Sequence, residues 1–167
     1  MQINIETIKA LRDLTSAGIM DCKNALEESG GDMAKAEEIL RSKGIASALK
    51  KSSRETNQGL VESYIHSGGR IGAIVEANCE TDFVARTDDF RSLAHNLAMQ
   101  VAAMNPKYVD ASDIPDGDDE NAEEVCLLQQ PFIKDPSQSV QDLVREAAGK
   151  LGENVQVRRF TRFALGE

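Results

Sequence analysis

The hydrophobic period of this chain changes at Leu60, and few folds accommodate that change. Up to about residue 50 the apolar side chains recur every three or four residues, as on one face of a helix. Ile5, Ile8 and Leu11 mark a first helix, Ile19, Cys22 and Leu26 a second, and Met33, Ala36, Ile39 and Leu40 a third. From Leu60 apolar and polar residues alternate, as on the two faces of a strand. "LVESYIH" and "RIGAIVEANC" flank "SGG", which predicts a β-hairpin over Leu60 to Cys79 turning at Ser67 to Gly69. The helical period then returns: Phe90, Leu93, Ala94, Leu97, Ala98, Val101 and Ala102 form one stripe, with Thr87 as cap and "NP" as terminator. Another helix, roughly Ser139 to Lys150, and a last strand within "NVQVRRFTRFA" complete the pattern. The fold class is therefore α+β: a small helical domain followed by a core domain whose antiparallel sheet has at least three strands.

Breaks between elements are equally legible. "TSAG" separates the first two helices, and "SGGD" ends the second on glycine while Asp32 can cap the third. "SSRETNQG", Ser52 to Gly59, has the polar composition of a linker, which places the domains at 1–52 and 53–167. Asp110 to Glu124 is acidic, proline-punctuated and short of apolar residues, and reads as a solvated loop. Three cysteines, Cys22, Cys79 and Cys126, lie far apart with no C-x-x-C pair, as expected for buried reduced thiols and not for a disulfide framework or zinc site. No metal or cofactor is expected. A formal charge of -9 argues against phosphate-backbone binding across the surface, so the expected partner is a protein and not nucleic acid. The start, "MQINIETIKALRDL", lacks a basic leader and an apolar core, and no later stretch approaches the ~18 apolar residues of a membrane span. A cytoplasmic protein is expected.

One stretch, "NCETDFVAR" (Asn78 to Arg86), poses a specific question. Thr81 or Asp82 is a natural helix N-cap, and Phe83 then falls in a first turn, where side chains often stand clear of the core. Phe83 also lies seven residues before Phe90, and one unbroken helix would put both on the core face. A cap at Thr87 suggests a helix that restarts between them, and the residues alone leave Phe83 open to either reading, the core being the ordinary one.

Four ordered blocks resemble one family: "LRDLTSAGIMDCKNALEESGGD" (Leu11 to Asp32), "SYIHSGGRIGAIVEANCETDFVAR" (Ser63 to Arg86), "QQPFIKD" (Gln129 to Asp135) and "GENVQVRRFTRFALGE" (Gly152 to Glu167). The family is bacterial elongation factor Ts, the guanine-nucleotide exchange factor for elongation factor Tu. The resemblance implies a ubiquitin-associated-like three-helix N-terminal domain. It also implies that Thr81, Asp82, Phe83 and Val84 form the element that contacts the GTPase, with Phe83 wedged near its magnesium and phosphate site. Arg12, Ile19, Met20 and Lys23 match the family's N-terminal contact surface, with Ser16 in place of the usual glycine and Ile19 in place of a methionine. Ile19 also fits the core stripe of its helix, whereas Met20 points off it. His66 matches a histidine at the Tu-facing end of the hairpin; without the family it would read as a solvated turn residue. His95 lies off its helix's apolar stripe with no evident partner. Relatives usually carry a helical stretch between the "IP" after the long helix and "QPF", where this chain has only an acidic tract.

The hairpin and helix module occurs once here, whereas longer relatives contain it twice, so a second copy of the chain is expected to cover the sheet as a homodimer. Alternation places Ile71, Ala73 and Val75 on one face and Ile74 on the other, with Phe160 also on the outward face among polar neighbours. Two other classes compete with exchange. An enzyme built on Cys79 and His66 lacks a nucleophile motif and a helix N-terminus beneath the sulfur. A ubiquitin-associated-type adaptor would explain residues 1 to 50 but leave "TDFVAR" idle.

Overall fold

A computed structural model of the chain describes residues 3–167. Its fold is α+β, as the periods require. The Asn4 side chain accepts from the Glu6 amide and starts α1 (Ile5–Thr15), which closes on Ser16 at φ 57. That left-handed position costs an L-residue about 1–2 kcal/mol and a glycine almost nothing. Next come α2 (Ile19–Glu28) and α3 (Met33–Lys51), the latter capped by the Asp32 side chain on the Lys35 amide. Leu11, Cys22, Ala25, Leu26, Ala36 and Leu40 are buried together between the three helices. Ile19 is not among them: at the first position of α2 it is 57% exposed, and the buried stripe is carried by Cys22, Ala25 and Leu26. Ile5, likewise in a first turn, is exposed.

The second half of α3 leaves this cluster and joins a larger one, to which Ala48 belongs. There α3 crosses α7 (Val140–Leu151) at two glycines, Gly44 and Gly149. A Cβ on Gly149 would lie 2.6 Å from the Gly44 carbonyl carbon, while one on Gly44 would lie 3.4 Å from Gly149 Cα. Overpacking costs about 1–3 kcal/mol, whereas Gly→Ala in a helix gains about 1 kcal/mol in propensity. Gly149→Ala is therefore expected to lower the melting temperature by several degrees, and Gly44→Ala to leave it unchanged or raise it. Equal losses at both sites would show that the crossing is not set by this approach.

The polar segment after α3 is held against the other end of the chain. The Asn154 amide group donates to the carbonyls of Ser52 (3.0 Å) and Arg54 (2.7 Å), and Asn78 Nδ2 donates to that of Thr56 (3.1 Å). The hairpin follows as β1 (Gln58–Ile65) and β2 (Ile71–Cys79), and β5 (Val155–Ala164) joins the far side of β2, giving an antiparallel sheet ordered β1-β2-β5. One face is covered by α7 and by α5 (Asp88–Met104), whose Phe90, Leu93, Leu97 and Val101 meet Val75, Ala77 and Val155 in the core. The other face carries no element of the described chain.

Register corrects one expectation. Glu76 pairs with Arg159 but Ala77 pairs with Val157, so Arg158 is an extra residue in β5 and alternation reverses there. Phe160 therefore turns inward opposite Val75 and packs against the core, while Phe163 is left 71% exposed on the open face. Ile74 is exposed, as its place on β2 predicts.

The acidic tract is less featureless than its composition suggests. It contains a 3-10 turn (Ala111–Asp113) and a one-turn helix, α6 (Ala122–Val125), and its base is closed by backbone bonds from Leu127 to Tyr108 (2.9 Å) and Leu128 to Val109 (3.0 Å). Beyond it "QPFIKD" forms a small hairpin of β3 (Pro131–Phe132) and β4 (Asp135–Ser139), for which the sequence shows no alternating run. Gln100, fully buried on α5, ties this hairpin down: its carboxamide donates to Gln130 Oε1 (3.2 Å) and the Pro131 carbonyl (3.1 Å) and accepts from the Ile133 amide (2.9 Å).

Candidate functional site

Between β2 and α5 the chain makes one helical turn, α4 (Asp82–Ala85), and two threonines delimit it. Thr81 Oγ1 accepts from the Val84 amide at 3.4 Å and begins the turn. Thr87 Oγ1 donates to the Val84 carbonyl (2.8 Å) and accepts from the Phe90 amide (3.2 Å), ending one helix and starting the next with a single side chain. The helical phase is broken between Phe83 and Phe90. Their fates separate accordingly: Phe90 is fully buried and Phe83 is 79% exposed.

The four residues of the turn divide by direction. Ala85 is buried and Val84 packs half-buried against the core, so these two anchor it. Phe83 projects outward beside Asp82, whose carboxylate meets Arg86 at 2.9 Å in an exposed pair. Thr81 is turned inward, where its hydroxyl donates to Glu153 Oε1 at 2.6 Å. Cys79 lies beneath, with its thiol donating to the Thr81 carbonyl at 3.2 Å. Burial, reinforced by the Glu153 charge, pushes that thiol up to about 11, so it is protonated at neutral pH.

Arg12 lies in the last turn of α1 and Ile19, Met20 and Lys23 in the first turns of α2, all exposed, with Met20 at 62%. Lys23 faces Glu27 at 3.7 Å. His66 sits elsewhere, in the hairpin turn after Ile65, with Tyr64 Oη 3.0 Å from its Nδ1. Ile65 pairs with Gly72 and Gln58 with Cys79, so the turn and α4 are at opposite ends of β2. Gly72 and Cys79 are seven steps apart along β2, roughly 23 Å at ~3.3 Å per residue. His66 and Phe83 thus form no single site on one chain.

His95 does have partners, contrary to expectation. Glu62 Oε1 stands 3.6 Å from its Nδ1, and the Tyr64 ring meets it edge-on at 5.7 Å between centroids. Both partners come from β1, which no pattern within α5 could disclose. On the open sheet face Glu76 accepts from Arg159 Nε at 2.7 Å, which is the first cause holding its carboxyl below the usual range. Among the described residues no group of His, Cys, Asp or Glu side chains is arranged to hold a metal ion, and no helix is long and apolar enough to cross a membrane.

A sequence model described as "Elongation factor TS" matches this chain over residues 5–120 and 119–167. The chain is 49% identical to elongation factor Ts of Carboxydothermus hydrogenoformans over 195 residues, covering 99% of the chain and 90% of that protein. It is 50% identical to elongation factor Ts of Moorella thermoacetica over 190 residues (96% and 94%), and 48% identical to that of Thermotoga petrophila over 195 residues (100% and 98%). An alignment of 195 residues against a chain of 167 leaves at least 28 positions (195 less 167) without a counterpart here. The break in the family match, at 119–120, falls inside the acidic tract.

Proposed function

This chain belongs to the elongation factor Ts family and is a translation elongation factor, and we propose that it acts by docking α4 on the GTPase elongation factor Tu and hastening release of GDP in the cytoplasm. The observation that carries the reading is Phe83, an aromatic side chain held almost wholly outside the core by two flanking caps. A large apolar group kept exposed on a rigid turn is suited to filling a pocket on a partner. No catalytic side chain is required. A factor that binds best when the magnesium and phosphate contacts of the GTPase are disturbed must weaken GDP, and GDP must weaken the factor by the same free energy. A coupling of ~4 kcal/mol corresponds to roughly a thousandfold change in affinity. Asp82 lies beside the wedge, Thr81 and Val84 hold it, and Arg12, Ile19, Met20 and Lys23 add a second contact area. The test is to mix the protein with its own elongation factor Tu carrying a fluorescent GDP analogue. Release should accelerate with factor concentration and then saturate; an unchanged rate would overturn the reading.

His66 enters this reading through a second copy of the chain. Val61, Ile65, Ile74 and Phe163 lie exposed on the open sheet face, with side-chain-free Gly72 between Ile65 and Phe163. A symmetric copy packed on this face would cover the apolar residues and bring a second hairpin and a second α4 into one particle. Sedimentation at micromolar concentration is expected to give twice the 18.2 kDa of one chain, and Phe163→Asp to lower it. A mass of one chain, unchanged on tenfold concentration, would remove the dimer.

A further inference from the structure

We propose that Glu153 is the positioning residue for Phe83: it clamps the turn that presents the phenylalanine and does so from 72 residues away, at the far end of α7. The proposal rests on the reading that Phe83 acts on the GTPase. A helical turn of four residues is far below the length at which helix propagation offsets nucleation. Something outside α4 must hold it, and the Thr81 cap alone, accepting at 3.4 Å, is a long bond. Glu153 supplies the missing constraint. Its Oε2 accepts from the backbone amides of Glu80 and Thr81, both at 3.0 Å, and its Oε1 accepts from the Thr81 hydroxyl at 2.6 Å. Because the hydroxyl proton points to Glu153, the Thr81 oxygen keeps a lone pair directed at the Val84 amide. Glu153 therefore sets the orientation of the cap as well as the backbone before it.

The clamp is reciprocal and anchored. Glu80 Oε1 accepts from the Asn154 amide at 2.7 Å, so each acidic side chain takes up backbone donors next to the other. Glu153 stands between two fixed neighbours. Gly152 ends α7 at φ 73 with its carbonyl held by Lys51 Nζ at 2.6 Å, and the buried Asn154 side chain is bound to the carbonyls of Ser52 and Arg54. Charge-assisted bonds to a carboxylate are about twice as strong as neutral ones, so a neutral amide in its place would hold the turn less firmly. Gln at this position could keep its carbonyl oxygen on the two backbone amides, but its N–H₂ would make the Thr81 hydroxyl accept where it now donates.

Two measurements on the whole protein decide the matter. In the free protein, Glu153→Ala should speed amide hydrogen exchange at least tenfold at Thr81, Val84 and Ala85 while leaving the middle of α5 unchanged. With elongation factor Tu, Glu153→Ala should slow stimulated GDP release about tenfold when Phe83 is present and less than twofold in a Phe83→Ala background, because a residue that acts through Phe83 has nothing left to position. Glu153→Gln should show the same pattern with a smaller loss, and it replaces the alanine variant in every arm if that variant fails to fold. Unchanged amide protection at α4 would overturn the proposal without touching the exchange reading. So would equal slowing in both backgrounds, the behaviour of general destabilisation. If Phe83→Ala itself releases GDP as fast as the parent, the exchange reading falls and takes the clamp's part in exchange with it.

Discussion

Phe83→Ala is expected to slow stimulated release of GDP at least tenfold while moving the melting temperature by only a degree or two. The two halves of this result have different origins. Phe83 is 79% exposed, so its removal takes little apolar surface out of the core, and surface substitutions of this kind stay within about 0.5 kcal/mol. For a chain of this length 1 kcal/mol corresponds to roughly 2–4 °C. Against a partner the same ring would be desolvated on most of its surface. Truncating an aromatic anchor at the centre of an interface costs about 2 kcal/mol or more, or roughly thirtyfold in affinity or rate. Thermal melting by circular dichroism and release of a labelled GDP should be measured on the same preparations. A melting temperature lowered by more than about 10 °C would place Phe83 in the core, and release at the parent rate would deny it any part in exchange.

Phe90→Ala should show the opposite profile. Phe90 is fully buried, meeting the sheet beneath α5, and Phe→Ala at such a site costs about 3–5 kcal/mol through lost transfer energy and the cavity left behind. The expected fall in melting temperature is roughly 6–20 °C. Since whole domains hold only about 5–15 kcal/mol, the variant should survive at low temperature but with little margin. Stimulated release measured well below its transition should stay within about threefold of the parent, because the hydrogen bonds of Thr81, Thr87 and Glu153 that hold α4 remain when the Phe90 ring is removed from the core behind Val84 and Ala85. A small change in melting temperature would mean that α5 repacks without loss. A loss of exchange as deep as that of Phe83→Ala, at full folding, would show that the two aromatics act as one unit.

Part of the contrast between these phenylalanines was open to a reader of the sequence, because the two caps that break the helical phase between them are local. A threonine side chain reaching an amide three residues on is a bond between near neighbours, formed at little cost in chain entropy, and Thr81 and Thr87 announce it by type and spacing. The same holds for the Asn4, Asp32 and Ser139 caps, for the hairpin turn at "SGG", and for the stripe of α5. Such signals determined the α+β class and the order of the elements; for Phe83 they offered a break in the helix at Thr87 beside the i, i+7 spacing to Phe90, and the family resemblance tipped the reading outward.

Only the tertiary structure decided which faces meet. The extra residue at Arg158 turns Phe160 inward and Phe163 outward, and nothing in "QVRRFTRF" marks it, since a bulge depends on how β5 registers with β2. Ile19 fits a helical stripe and is nevertheless exposed, because at the first position of α2 it stands outside the cluster that the three helices bury. Glu62 beside His95, Gly149 against Gly44, and Glu153 against Thr81 join residues far apart in sequence. Contacts of that kind carry no periodic or spacing signature. They form only once loop-closure entropy has been overcome by the packing of the whole, and so they are properties of the folded molecule and not of any segment of its chain.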